Sequence, residues 1–268
     1  MKRLVAIFTL LAFVLLLWNF MPVEVQEDNI ALEEAGNIAP FVVVELFTSQ
    51  GCSSCPPADR LLTEISQEAK RKGVNVFPLS FHVAYWNYLG WKDPFSKEIF
   101  SERQRNYAKS LRSSVYTPQM VFNGKDECVG SKKGEVEKHV AKILQKSGKA
   151  NISIESEFIN TQNGIKINYS IGDNIDKTLL NFALVERDLE IFVKRGENGG
   201  RNLKHDNVVK EFKTISLKNS VNRGVVVLPI PANLNLEKSA VIAYLQKIDT
   251  KEIYGATILE LENKQIPK

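Results

Sequence analysis

Cys52 and Cys55, in the run Gln50-Gly51-Cys52-Ser53-Ser54-Cys55-Pro56, are the residues of this chain best suited to chemistry. A Cys-x-x-Cys pair either cycles between dithiol and disulfide or supplies half of a zinc site. Zinc needs a second paired set of ligands, and the 3 Cys and 3 His of the chain offer none at such a spacing. Redox chemistry is therefore the expectation, with no metal and no cofactor. Ahead of the pair, Val42, Val43, Val44, Leu46 and Phe47 have the composition of a buried strand, with Glu45 as the odd member. Behind it, Ala58, Leu61, Leu62, Ile65 and Ala69 recur at helical spacing, and Pro56 suits a first helical turn. The pattern predicts strand, turn, helix, with Cys52 at the helix N-terminus. Unpaired N–H groups and the helix dipole stabilise a thiolate there, lowering a Cys pKa from ~8.5 to about 3.5–7.5. Cys52 is thus the expected solvent-accessible nucleophile and Cys55, shielded in the first turn, the resolving thiol.

Several other elements should meet this turn. Thr117-Pro118 leads into a short apolar strand that ends in Asn123-Gly124, a hairpin signal. Residues 75–83 read as a second core strand, followed by an aromatic loop over 85–94 and a helix from about 95 to 111. In a parallel βαβ arrangement that loop leaves the strand edge that carries the cysteines. Trp86, Tyr88, Trp91 and Phe95 are then either an apolar rim for a peptide or a plug at the end of the core. His82, at the end of its strand, is either satisfied by a local carbonyl or supports a Cys52 thiolate.

The runs ELFTSQGCSSCPPAD, LSFHVAYWNYLGWKDPF with SERQRNYA behind it, VYTPQ and RGENGGRNLKHDNVV together resemble a family of secreted thioredoxin-like proteins of unknown function. The resemblance covers nearly the whole chain after Pro40, although Ala84 and Asn87 stand where that family often has an acid. It implies a cis Pro118 lying against the Cys-x-x-Cys turn, with the Thr117 backbone holding an extended partner segment. It also gives Glu45 a role: a carboxylate in the strand before the nucleophile resembles the buried acid that thioredoxins keep near the resolving thiol. Such a Glu45 would lie behind Cys55 and take its proton; the alternative is a side chain solvated at the sheet edge.

The rest of the chain sets the context. With 44% hydrophobic and 25% charged residues over 268 positions, it can build a globular core of about two domains. The net charge of +4 is mild and no basic run is interleaved with aromatics, so nucleic acid is not an expected partner. Met1-Lys2-Arg3 followed by an apolar run to Phe20 reads as a targeting segment. Residues 1–22 are then either an uncleaved membrane anchor, the favoured reading since no A-x-A-like site follows, or a cleaved signal peptide; 23–39 form a linker. Export to a periplasmic or extracellular compartment permits a Cys52–Cys55 disulfide and leaves Cys128 over, expected buried and inert.

A helix over 135–145 closes the first domain, 40–149, and from Ala150 the apolar pattern turns to period two. The expected architecture is an α/β thioredoxin-like domain followed by an all-β sandwich-like domain over 150–268. Arg195 to Asn207, polar and carrying three glycines, reads as either a docking loop or a plain surface loop. The expected function is an exported thiol-disulfide oxidoreductase acting on protein or small thiols. Its rivals are a non-catalytic binding module whose disulfide locks the turn, and a copper carrier. Met1, Met21 and Met120 form no cluster that would support copper.

Overall fold

The structure, a computed structural model, describes residues 38–159, 164–172, 177–217 and 222–261. The targeting segment and nearly all of the linker lie outside the described residues. Among the described residues no helix is long and apolar enough to cross a membrane.

The chain opens with β1 (Phe41–Thr48), every residue of which is buried, as its β-branched and aromatic run requires. Then follow α1 (Pro56–Lys72), β2 (Asn75–His82), a 3-10 turn at Ala84–Leu89, α2 (Glu98–Leu111), β3 (Gln119–Phe122), β4 (Asp126–Val129) and α3 (Lys133–Ile143). Pro56 and Pro57 start α1 without needing N–H partners, and Gly73, at φ 65°, ends it in the left-handed region. The Asn-Gly hairpin joins β3 to β4, with Asn123 and Gly124 both at positive φ. A Cβ on Gly124 would sit 1.9 Å from the Lys251 carbonyl oxygen, so this turn also needs glycine for close approach.

From residue 150 the strands are β5 (Ile152–Ile159), β6 (Gly164–Ile171), β7 (Thr178–Glu186), β8 (Leu189–Val193), β9 (Arg201–His205), β10 (Val208–Ser216), β11 (Arg223–Pro229), β12 (Ser239–Lys247) and β13 (Ile253–Glu260). The fold is α/β, with one large mixed sheet of order β13-β12-β7-β10-β2-β1-β3-β4 and smaller sheets β11-β6-β5 and β8-β9. The main sheet runs across the expected boundary at 149/150, because β10 adds in parallel to β2 at Val208 and Ser80. The strands after 150 are therefore joined to the first half through this sheet, in an architecture that still admits a two-domain arrangement. Four of them extend its sheet, and β5, β6 and β11 cover one face of that extension.

Strand alternation explains the layers. Val42, Val44 and Leu46 of β1 face Ala58, Leu61 and Leu62 of α1 and Val136 of α3. Val43 and Phe47 face the other way, toward Phe100 and Tyr107 of α2, in a core shared with Ala183, Val185, Ala240, Ile242 and Tyr244. On the opposite face of the extension, Phe182, Leu184 and Val241 pack on Ile165, Ile167 and Leu228. Helix α2 thus packs on both halves, and the described residues form one unit by their contacts.

Candidate functional site

Cys52 and Cys55 are joined in a disulfide between the end of β1 and the start of α1. The Cys52 N–H donates to the Ser49 carbonyl at 3.2 Å, and the Cys55 carbonyl accepts from Ala58 and Asp59 at 2.8 and 3.1 Å. Cys55, not Cys52, is the N-cap of α1, so the helix starts one turn later than the cysteine spacing predicts. The adjacent proline places the first helical residue after Cys55.

Both cysteines are fully buried, which corrects the expectation of a solvent-accessible Cys52. The cover comes from the polar run at 195–207, which is no plain loop: it is the end of the β8–β9 hairpin together with β9 itself. Asn198, itself buried, donates through Nδ2 to the carbonyls of Gln50 at 3.0 Å and Cys52 at 2.9 Å. The neighbouring Glu197 carboxylate accepts the Ser53 N–H at 2.9 Å, and Ser53 holds that carboxyl below its ordinary value. Arg201 donates to Asn198 Oδ1 at 3.1 Å, fixing the amide so that its donors point at the turn.

The aromatic loop supports the turn from another side. A Cβ on Gly51 would lie 3.2 Å from Trp86 Cβ, so the turn presses against that residue. Trp86 Nε1 donates to Thr117 Oγ1 at 2.8 Å, tying the loop to the Thr117–Pro118 segment, whose peptide bond is cis. Trp91 Nε1 donates to Gln50 Oε1 at 2.9 Å. Trp86 and Trp91 are only partly exposed, and Tyr88 is the exposed aromatic of this loop.

Beneath the turn lies a buried polar cluster that the sequence reading largely missed. His82 Nδ1 is 2.7 Å from Asp93 Oδ2, an oxygen that also accepts the Gln50 N–H at 2.9 Å. Burial opposes charge on both groups, but their mutual attraction wins: His82 is raised and Asp93 lowered from their ordinary values. The His82 ring stands edge-on to His205 of β9 at 4.8 Å. His205 Nε2 lies 3.3 Å from Gln50 Nε2, and its Nδ1 lies 3.7 Å from Oδ1 of Asp59, a buried residue of α1. Asp59 Oδ2 accepts from Thr48 Oγ1 at 3.2 Å. No pairwise spacing links Asp59, Asp93 and His205; only the apolar flanks of Asp59 within α1 hint that it faces inward.

Glu45 is buried but stands on the wrong face. Period two places it with Val43 and Phe47, opposite α1 and the cysteines. There Arg103 of α2 binds its carboxylate through Nε at 2.6 Å and Nη2 at 2.9 Å, and Tyr107 donates to it at 2.6 Å. Tyr244 and Gln246 of β12 complete the shell around the guanidinium. Glu45 therefore cannot lie behind Cys55. Cys128 is buried on β4, where burial and the nearby Glu135 and Glu127 push its thiol up to about 12.

A family model described as a protein of unknown function, DUF1223, matches residues 43–246. The chain belongs to the DUF1223 family. The matched span runs from β1 into β12, so the hairpin that covers the cysteines lies inside the DUF1223 unit. Among solved structures, one similar chain is a structural-genomics protein of Agrobacterium tumefaciens, 29% identical over 87% of this chain and 100% of its own, with a TM-score of 0.63. Another is HBP35 of Porphyromonas gingivalis, 16% identical over 85% of this chain and 77% of its own, with a TM-score of 0.60, a likeness of fold alone. No curated protein matches the chain.

Proposed function

We propose that this DUF1223 protein is an exported thiol-disulfide oxidoreductase, and that β1 through α3 form a thioredoxin-like core. The observation that carries the reading is a disulfide held at the start of α1 with ionisable groups buried beneath it. In the cycle, a partner thiolate attacks Cys52, Cys55 leaves as thiolate, and a second partner thiol resolves the mixed disulfide, which oxidises the partner; the reverse direction reduces a partner disulfide. Support for the core comes from β1 running parallel to β2 and antiparallel to β3, with α1 and α3 on one face and α2 on the other. The partners are protein or small thiols, reached once the hairpin tip moves off the turn. The Thr117 backbone and the half-buried Trp86 are the proposed contacts for a partner segment.

Trapping tests the reading. A Cys55→Ala variant should accumulate mixed disulfides with exported proteins, because the internal resolving attack is gone, whereas Cys52→Ala should accumulate few. Equal accumulation in the two variants would overturn the assignment. The full burial of both cysteines under Asn198 favours a second reading, in which the disulfide only locks the turn for binding. A bond that resists dithiothreitol in the native protein, yet is reduced on unfolding, would select that reading.

A further inference from the structure

Three buried polar atoms around the turn have no hydrogen-bond partner: Asp59 Oδ1, His205 Nδ1 and His82 Nε2. Such orphans are costly unless they serve a changing charge state. Of these residues, Asp59 is the nearest to the disulfide along the chain, one helical turn after Cys55 and on the same face of α1, with its N–H on the Cys55 carbonyl. His205 reaches Asp59 only because the hairpin docks. Gln50 constrains the imidazole: its Oε1 accepts from Trp91, so its Nε2 is the donor and His205 Nε2 the acceptor. In neutral His205 the ring proton then sits on Nδ1, 3.7 Å from Asp59 Oδ1 and not hydrogen-bonded to it.

We infer that His205 and Asp59 form a proton-sharing pair coupled to the Cys52–Cys55 bond, with His205 as a positioning residue delivered by the β8–β9 hairpin. The inference rests on the redox reading above. When a partner thiolate bonds to Cys52 Sγ, the S–S bond breaks and its electron pair stays on Cys55. That thiolate takes a proton from the pair, and the pair regains one from solvent, which received a proton when the partner thiol ionised. When the second partner thiolate attacks the partner's own sulfur, Cys52 is released as thiolate and the partner leaves as disulfide. Two electrons pass to the cysteines for each partner dithiol oxidised. In the open state negative charge remains on a cysteine sulfur at the start of α1, the end of the helix that carries Asp59, so opening the disulfide favours proton uptake by the pair and a protonated pair favours opening. Of the other ionisable groups around the pair, His82 from β2 meets the His205 ring, Asp93 from the aromatic loop is bound to His82, and Lys210 from β10 lies over the Phe95 ring that also borders His205.

The chain has only 3 His, so each ring can be followed by proton NMR in the full-length protein. His139, on α3 and stacked on Phe122, is an internal reference. Spectra of oxidised protein and of protein reduced with tris(2-carboxyethyl)phosphine at one fixed pH, with His205→Gln and His82→Gln for assignment, should show the His205 ring signals moving toward those of a protonated imidazole on reduction. His139 should not move, and Asp59→Asn should shrink the redox-linked shift. His205 ring signals that are the same in both redox states would overturn the inference. If Asp59→Asn does not fold, the wild-type comparison decides alone. Exchange with dithiothreitol is measured separately: loss of exchange sinks the redox reading, whereas normal exchange with an unmoved His205 sinks only this inference.

Discussion

Glu45 and Arg103 form a bidentate pair closed in by Tyr107, Tyr244 and Gln246, a well-satisfied buried charge whose partners come from β1, α2 and β12. Its role is to hold those elements in register. Glu45→Gln should lower the free energy of unfolding in urea by about 3–5 kcal/mol, because it strands a guanidinium. The rate of thiol exchange in the folded fraction should stay unchanged. A slowed exchange at intact stability would return Glu45 to the redox site. The error in reading Glu45 from sequence is one of face: an acid within a buried strand was visible, but choosing its side required knowing that α1 packs on the even-numbered residues. Asp59 escaped notice for the converse reason, since an acid in the first turn of a helix ordinarily caps or faces water.

At the scale of elements, the β8–β9 hairpin is hydrogen-bonded to the turn through Asn198 and the His82–Asp93 pair pins the aromatic loop to β2. Asn198→Ala removes the donor to two carbonyls and should speed reduction of the native disulfide by dithiothreitol about tenfold, equivalent to about 1.4 kcal/mol of easier opening. In the same reduced samples iodoacetamide should label Cys128 only after unfolding, given a thiol pushed up to about 12. The pH dependence follows from the pinning pair. Asp93 is lowered from 3.8, so its contribution is present above that value and fades as pH falls through its depressed folded pKa. His82 is raised from 6.5, so its contribution is full below that value and fades as pH rises through its elevated folded pKa. The wild-type advantage in Tm over His82→Gln should therefore be greatest between about 4 and 6.5 and shrink on the alkaline side. The strand, turn, helix and hairpin around the cysteines were legible because β-branched runs, helical spacing and Asn-Gly act locally. The lid was visible only as polarity and glycine, since its meaning lies in contacts more than 140 residues away in sequence, such as the 146-residue separation between Asn198 and Cys52.

At the scale of the whole molecule, sequence alone invited a break at 149/150 where helical periodicity gives way to alternation, yet the sheet ignores it. Alternation reports which face of a strand is buried and not which neighbour it pairs with, so β7, β10, β12 and β13 read equally well as a separate sandwich. A fragment covering 40–149 would uncover Phe81, which packs edge-on against Phe212, and would strip Tyr244 and Gln246 from Arg103. Such a fragment should give no cooperative urea transition by circular dichroism; a sharp transition would establish an autonomous domain. The narrow junction of Ser80 with Asn207 and Val208 has a further consequence during synthesis. A chain made from its N-terminus completes β2 long before β10 exists, and until then one edge of a strand rich in phenylalanine has no partner. Pairing across that edge spans more than 120 residues of sequence, so it closes late in synthesis, only after residue 208 has been made.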